Sequence, residues 1–319
     1  MITTVTLNAA IDKTYYLDDF TTGQVWRVKS MRSVPGGKGI NVARVIQQLG
    51  KSSFITGIVG GNNGEFICTE LDHQGLQHEF IKVSGESRIN LNIMEKANGS
   101  STEILEPGPT IESDTIDQLK MLLKTATRVS KVFVFSGSLP PGAPVDLYRE
   151  LIEAVQEEGA QAILDTSGHA LVEGLKAKPY MIKPNEDEMR MLTGLDTVNE
   201  HQLFESIRQL MGRGIACVAV SLGARGAAVG FAKQLFLVHA PQIQANNPVG
   251  CGDSFTAGFA VGLESDLPIE TCLLMAAAAG AANAMTEEAG NIRIVDYERF
   301  LKLSKVEKIT PLFGVNNEK

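Results

Sequence analysis

The strongest constraint on this chain is a rhythm. Short apolar runs rich in β-branched residues alternate with longer amphipathic ones. ITTVTLN (2–8) reads as a buried strand, NVARVIQQLG (41–50) as a helix closed by glycine, SFITGIVG (53–60) as a strand and GEFICTELDHQG (64–75) as a helix. SDTIDQLKMLLKTATRV (113–129) reads as a helix with Ser113 at its N-cap. KVFVFSGS, VDLYRELIEAVQEEG and AQAILDTSG follow as strand, helix and strand, with YMIKPN and CVAVSLG continuing the series. Strand–helix alternation with apolar strands predicts a mainly parallel sheet covered on both faces. Hydrophobic residues make up 44% of the 319, ample for such a core.

Two stretches break the rhythm. Residues 15–34 and 88–105 alternate apolar and polar without helical spacing. In RINLNIM, Ile89, Leu91 and Ile93 fall on one face, and Arg88, Asn90 and Asn92 on the other. A small second sheet is expected from about 12–35 and 86–106, one face packed and one polar, placed as a lid. No linker, low-complexity segment or internal repeat divides the chain, so one domain over 1–319 is expected.

Composition narrows the partners. The net charge is −8 with no basic block, which argues against nucleic acid or an anionic membrane as a partner. MITTVTLNAAIDK lacks the basic start and long apolar core of a signal peptide. LLMAAAAGAANAM (273–285) is too short and alanine-rich for a membrane span. Cys68, Cys217, Cys251 and Cys272 are scattered with no CxxC, as expected of reduced thiols in a cytoplasmic protein.

Four stretches carry candidate chemistry. In NPVGCGDSF (247–255), Gly250 and Gly252 clear the backbone for a ligand. The amides of residues 250–253 would face an anion at a helix start. Asp253 would repel a phosphate, so it fits better as a base that takes a proton from an attacking hydroxyl. VPGGKGINVARVIQQLG (34–50) brings Lys38 and Asn41 to another helix start. It is not a Walker A loop, since Arg32 and Gly39 stand where Gly and Ser or Thr are required. In KPNEDEM (183–189), Asn185 and Glu188 share one side of a first helical turn, a pairing that suits a hydrated Mg²⁺. VSLGARGA (220–227) is a strand ending in glycines that could border a nucleotide. Taken singly, each also fits a plainer reading: a helix cap, a solvated lysine, an acidic first turn, a β-turn. The third glycine of a dinucleotide fingerprint is absent from GCGDSF, which argues against a Rossmann dehydrogenase.

Together and in this order, these stretches resemble the ribokinase/PfkB carbohydrate kinase family over nearly the whole chain. PGGKGINVARVIQQLG and NPVGCGDSFTAG match its two signatures, with SGSLPPG (136–142), KPNEDEM and VSLGARG between them. The resemblance implies a three-layer α/β/α fold with a β-sheet lid that often forms a homodimer interface. It implies ATP-dependent phosphorylation of a sugar hydroxyl with Mg-ATP. Asp253 matches the catalytic base, and the amides of Gly250, Cys251 and Gly252 match the anion hole. Asp12, Gly37, Asn41 and Ser138 match the sugar side. Lys183, Asn185, Ser221, Gly223, Gly226, Gly280 and Asn283 match the nucleotide side, with Glu188 organising Mg²⁺ through water.

Lys38, Arg88 and Arg27 would meet over the site when the lid closes. They resemble the phosphate clamp of the phosphofructokinase-like branch, whose substrates are ketohexose phosphates. TEILEPGP and NPVGCGD are most similar to tagatose-6-phosphate kinases, while RINLNIM is as similar to 1-phosphofructokinases. A non-catalytic sugar-phosphate sensor on the same scaffold is a third alternative. Two departures matter. Asn246 and Asn247 stand where the family pattern has an acid, which puts monovalent-cation activation in doubt. Cys251 replaces the usual alanine, and a thiol at a helix N-terminus is expected to have a lowered pKa and oxidation-sensitive activity.

Overall fold

The computed structural model describes residues 1–97 and 100–309. Parts of the expected lid (98–99) and of the chain end (310–319) lie outside the described residues. The strands are β1 (Ile2–Thr6), β2 (Ala10–Leu17), β3 (Ser30–Gly36), β4 (Ser53–Gly60), β5 (Gln77–Val83), β6 (Arg88–Glu95) and β7 (Ser101–Leu105). They continue with β8 (Val132–Ser136), β9 (Gln161–Asp165), β10 (Met181–Ile182), β11 (Cys217–Ser221), β12 (Ala227–Phe231), β13 (Gln234–His239) and β14 (Lys305–Ile309). The helices are α1 (Lys38–Gln48), α2 (Gly61–His73), α3 (Ser113–Ala126), α4 (Leu147–Glu157) and α5 (Gly168–Gly174). The rest are α6 (Glu186–Thr193), α7 (Glu200–Gly212), α8 (Cys251–Glu264), α9 (Ile269–Ala284) and α10 (Ile294–Leu303).

Ten strands form the main sheet in the order β14-β13-β12-β11-β10-β9-β8-β1-β4-β5. The run from β5 to β11 is parallel, and β12, β13 and β14 add an antiparallel edge. Strand β8 shows why the sheet needs cover on both faces. In VFVF, Phe133 and Phe135 enter one core while Val132 and Val134 enter the other. The first core packs against α3, α4 and α7 through Leu123, Leu151 and Ile207. The second packs against α1, α8, α9 and α10 through Val45, Phe259, Ala276 and Phe300. The alanine-rich stretch is α9, buried between its neighbours. Among the described residues no helix is long and apolar enough to cross a membrane. The N-cap of α3 is Glu112 rather than Ser113, which begins the helix itself; Asp114 supplies the acidic first turn.

The lid is the separate sheet β3-β2-β6-β7. Ile11 and Ile93 are buried, and Ile89 packs with α2 residues Ile67 and Leu71 in a third core. That packing ties the base of the lid to the domain and turns the polar row Arg88 and Asn90 toward the carboxyl ends of the parallel strands.

Candidate active site

Loops leave the carboxyl ends of β1, β8, β9 and β10 on the side where α1 and α8 begin. Ligands of open α/β sheets bind at such edges. Gly37 is the N-cap of α1, and Lys38 and Asn41 occupy its first turn. Lys38 Nζ lies 2.9 Å from Asp165 Oδ1, at the end of β9. Lys183, just past β10, lies 3.2 Å from the other oxygen, Asp165 Oδ2. Burial would push the Asp165 carboxyl up, but Lys183 and Lys38 outweigh it and hold the pKa at about 2. Asp165 in turn raises the Lys38 pKa against desolvation, so the ammonium is retained.

The start of α8 faces this cluster. Its N-cap, Gly250, has a left-handed φ of 82°, and a Cβ there would fall 2.7 Å from Ala289 Cα. Only glycine meets both conditions. The first amides of a helix have no intrahelical partner, and here they border a cavity of about 420 Å³ lined by Gly250 and Gly252. Asp253 lies in the first turn and is 6% exposed. Asn41 Nδ2 donates to Asp253 Oδ2 at 2.9 Å. Burial raises the Asp253 pKa, and the pull of Lys38 only partly offsets it.

The lid supplies the opposite wall. Asp12 on β2 and Asn90 on β6 stand in register, and Asn90 Nδ2 donates to Asp12 Oδ1 at 2.8 Å. Burial raises the Asp12 pKa, opposed first by that hydrogen bond. Gly36 on β3 makes room, since a Cβ there would lie 2.1 Å from Asp12 Cγ. Arg88 Nε donates to Asn8 O at 3.2 Å. A further ion pair, Arg32 with Glu288, joins β3 to the loop before α10. A wider cavity of about 800 Å³ continues under the lid and shares Asp12 and Asn90 with the first.

The sequence pattern of the pfkB family of carbohydrate kinases matches residues 5–294. The chain belongs to that family. It is 36% identical over 312 residues to a tagatose-6-phosphate kinase of Staphylococcus epidermidis, covering 97% of this chain and all of the relative. The solved structure of phosphofructokinase-2 from Escherichia coli in complex with potassium superimposes with a TM-score of 0.89 at 26% identity, over 95% of this chain and 98% of that one. Ribokinase of Arabidopsis thaliana complexed with ribose and ATP shares the fold, with a TM-score of 0.76 at 21% identity, over 94% and 98% of the two chains. The protein is thus an ATP-dependent sugar kinase with the three-layer architecture and lid that the sequence resemblance implies.

The kinase gathers six of the seven expected sugar-side residues. Asp12, Gly37, Lys38, Asn41, Arg88 and Ser138 all line the smaller cavity with Asp253. Arg27 does not. It is exposed on the connection between β2 and β3 and lines neither cavity. The expected meeting of three cations therefore reduces within one chain to two, and Lys38 is already paired with Asp165.

The nucleotide-side residues cluster beside the cavity without lining it. An isolated bridge joins Asn185 to Ser221, and Ser221 N–H donates to Pro184 O at 2.9 Å. This sets KPN beside the turn Gly223–Arg225, which Gly226 closes. Asn185 and Glu188 form a capping box on α6. Glu188 N–H donates to Asn185 Oδ1 and Asn185 N–H donates to Glu188 Oε2, both at 2.8 Å. Gly280 lets α9 approach α8, since its Cβ would lie 3.2 Å from Cys251 O. Asn283 is fully buried. Its amide donates to Val249 O at 2.8 Å and accepts from Gly290 N–H at 2.8 Å, so it braces the loop before α8 from within the core. The Cys251 thiol departs from expectation. Burial pushes its pKa up, with Asp253 adding to the rise, and these outweigh the hydrogen bond from Asn283. The helix start does not make it an activated thiolate.

Four residues were not singled out from sequence: Asp165, Asn8, Asn90 and Arg44. Asp165 had a signal, a carboxylate directly after the apolar AIL of a parallel strand. Asn90 had one too, in the polar face of RINLNIM. Arg44 lies three residues after Asn41 on the same helix face.

Asp165→Asn tests the ion cluster. It leaves the buried Lys183 ammonium unpaired, at a cost of about 3–5 kcal/mol; the half-exposed Lys38 adds less because water screens it. The wild-type contribution has the sign of a depressed carboxylate. It is complete above the usual Asp value of 3.8 and lost as pH falls toward 2. Urea melts at pH 7 and pH 3 are expected to show a large gap between wild type and variant that narrows in acid.

Proposed function

We propose that this kinase phosphorylates a ketohexose phosphate to the bisphosphate, with tagatose 6-phosphate as its preferred acceptor. The observation that carries this reading is the cavity itself, where a buried carboxylate, helix-start amides and two cations, Lys38 and Arg88, line one space. A free sugar has no use for the second cation. The relatedness to tagatose-6-phosphate kinase over the full chain supports the choice of sugar.

Asp253 accepts the proton of the attacking hydroxyl as oxygen attacks the γ-phosphorus. Its raised pKa makes it a better base than an ordinary carboxylate. The amides of Gly250, Cys251 and Gly252 face the charge that develops on the transferring group. Asp12, held by Asn90, binds sugar hydroxyls, and the lid excludes water. Lys183, Asn185, Ser221, Gly223, Gly226 and Gly280 border the nucleotide side. Among the described residues no cluster of three acidic, histidine or cysteine side chains could hold a metal by itself. That fits Mg²⁺ arriving with the nucleotide and keeping most of its waters. Glu188, with one oxygen in the capping box, would hold it through water, and the ion would neutralise phosphate charge. Asn246 Nδ2 donates to Met285 O and Asn247 Nδ2 to Glu287 O, each at 2.9 Å. With amides rather than an acid at positions 246 and 247, this reading has activity without a monovalent cation.

The lid leaves Met31 and Ile104 exposed on the face turned away from Asp12 and Asn90. Two copies pair through this face. Sedimentation velocity is expected to show a dimer, and Met31→Glu with Ile104→Glu to dissociate it. A wild type that sediments as a 34.3 kDa monomer at micromolar concentration removes this element.

A coupled ADP-release assay across tagatose 6-phosphate, fructose 6-phosphate, fructose 1-phosphate and free fructose tests the substrate. The highest kcat/KM is expected for tagatose 6-phosphate, with equal rates in potassium and tetramethylammonium. Preference for fructose 1-phosphate would reverse the sugar in the site, and binding without turnover would make this a sensor. Asp253→Asn is expected to lower kcat by ~10²–10⁴ with little change in KM. In wild type, kcat/KM falls as pH drops through the Asp253 pKa, on a limb above the usual Asp value of 3.8.

A further inference from the structure

Arg44 is heavily engaged beside the site, and the proposed chemistry leaves it unused. Its guanidinium donates four ways: Nη2 to Pro35 O at 2.7 Å, Nη1 to Ala289 O at 3.0 Å, Nη1 to Asn41 Oδ1 at 3.3 Å, and Nε to Gln74 Oε1 at 3.3 Å. Pro35 belongs to lid strand β3, and Ala289 backs the Gly250 turn. Asn41 is the residue whose amide touches Asp253.

The polarity of this chain is fixed from its far end. A guanidinium can only donate, so the Asn41 atom facing Arg44 must be the amide oxygen. The amide nitrogen then points at Asp253, where it donates to Oδ2. An asparagine without such an anchor could turn over and present its oxygen to the carboxylate. With the anchor, Oδ2 is held as an acceptor and does not carry the proton.

We propose that Arg44 is a positioning residue: through Asn41 it reserves Asp253 Oδ2 as a hydrogen-bond acceptor and leaves Oδ1 as the oxygen that takes the substrate proton. The inference rests on Asp253 being the base. In the step, the hydroxyl O–H bond breaks and its proton passes to Oδ1. The hydroxyl oxygen bonds to the γ-phosphorus. The bond from that phosphorus to the β,γ-bridging oxygen breaks, and its electron pair stays on ADP.

The consequence is a displaced acid limb of activity. Asp253 is faced by Lys38 from α1, Asp165 from β9, Lys183 beyond β10 and Cys251 of its own helix; Arg44 is faced by Asp12 from β2 and Arg32 from β3. The groups that act most strongly on Asp253 are Lys38, Asp165, Asn41 and Lys183. The influence of Arg44 is expected to run through Asn41, whose hydrogen bond favours the ionised carboxylate. Losing Arg44 raises the Asp253 pKa and moves the acid limb to higher pH.

The test is the pH dependence of kcat/KM with Mg-ATP and tagatose 6-phosphate, or fructose 6-phosphate if that turns over faster. Arg44→Met and Asn41→Ala are each expected to move the acid limb toward neutral pH by about 1 on the pH scale, and the double variant to move it no further. For Arg44→Met, kcat at neutral pH falls by no more than about tenfold, the ceiling set by a limb displaced that far, while KM for the sugar phosphate stays within threefold. Arg44→Gln, too short to reach Asn41 Oδ1, carries the same test if the Met variant does not fold, with thermal melts confirming the fold of each. An unmoved limb in the folded Arg44 variants overturns the proposal. So does an Arg44→Met displacement that persists in the Asn41→Ala background, since it would be a direct charge effect. Asp253→Asn separates the two readings. If it retains activity within tenfold, Asp253 is not the base; if it is inactive and the Arg44 limb is unmoved, only the role of Arg44 falls.

Discussion

Everything in the site is arranged around one buried carboxylate, Asp165, and the two ammonium groups that meet it. Lys38 comes from α1 and Lys183 from the strand β10 next door. Their pairing joins the start of a helix to the ends of two strands at the point where the cavity opens. With Asp253 ionised, the four groups carry two positive and two negative charges. The site is therefore close to electrically neutral before a ligand enters. Phosphate groups that draw on Lys38 or Lys183 must compete with Asp165, and the gain from binding them is smaller than two free lysines would give.

The second organising element is the loop before α10. Ala289 packs against Gly250, Asn283 holds Gly290, Arg44 binds Ala289 O and Glu288 pairs with Arg32 of the lid. Backbone that packs behind the Gly250 turn is thus in contact with the lid strand β3 and with the helix that carries Asn41. The lid strand and the helix-start amides are braced by the same set of contacts.

The parallel sheet was legible because buried strands advertise themselves. Runs such as VFVF have no polar face to hide, and the glycine turns mark the helix starts that follow. The lid was legible for the opposite reason, since RINLNIM alternates. The antiparallel edge was not. β12 and β13 are joined through Ala232 and Lys233, both at positive φ (48° and 62°), where hairpins usually advertise themselves by Asn or Gly. Asp165 and Lys38 are 127 residues apart, and nothing in either local pattern names the other. Arg27 misled because it stands on the connection between β2 and β3 rather than on a lid strand, and the local pattern does not mark where the strands stop. Cys251 misled because the helix-start effect on a thiol is opposed by burial, which only the packing of α9 reveals.

The capping box on α6 has a consequence for how such proteins are compared across descent. Asn185 and Glu188 hold each other's backbone amides, so the start of the helix is stabilised by both side chains. Selection would retain the pair in a lineage that had stopped transferring phosphate altogether. Their presence is therefore a record of folding first and of chemistry second. Asp253 is different in kind, since no cap depends on its carboxylate and burial works against its charge; in a lineage freed from catalysis it would be among the first residues to drift.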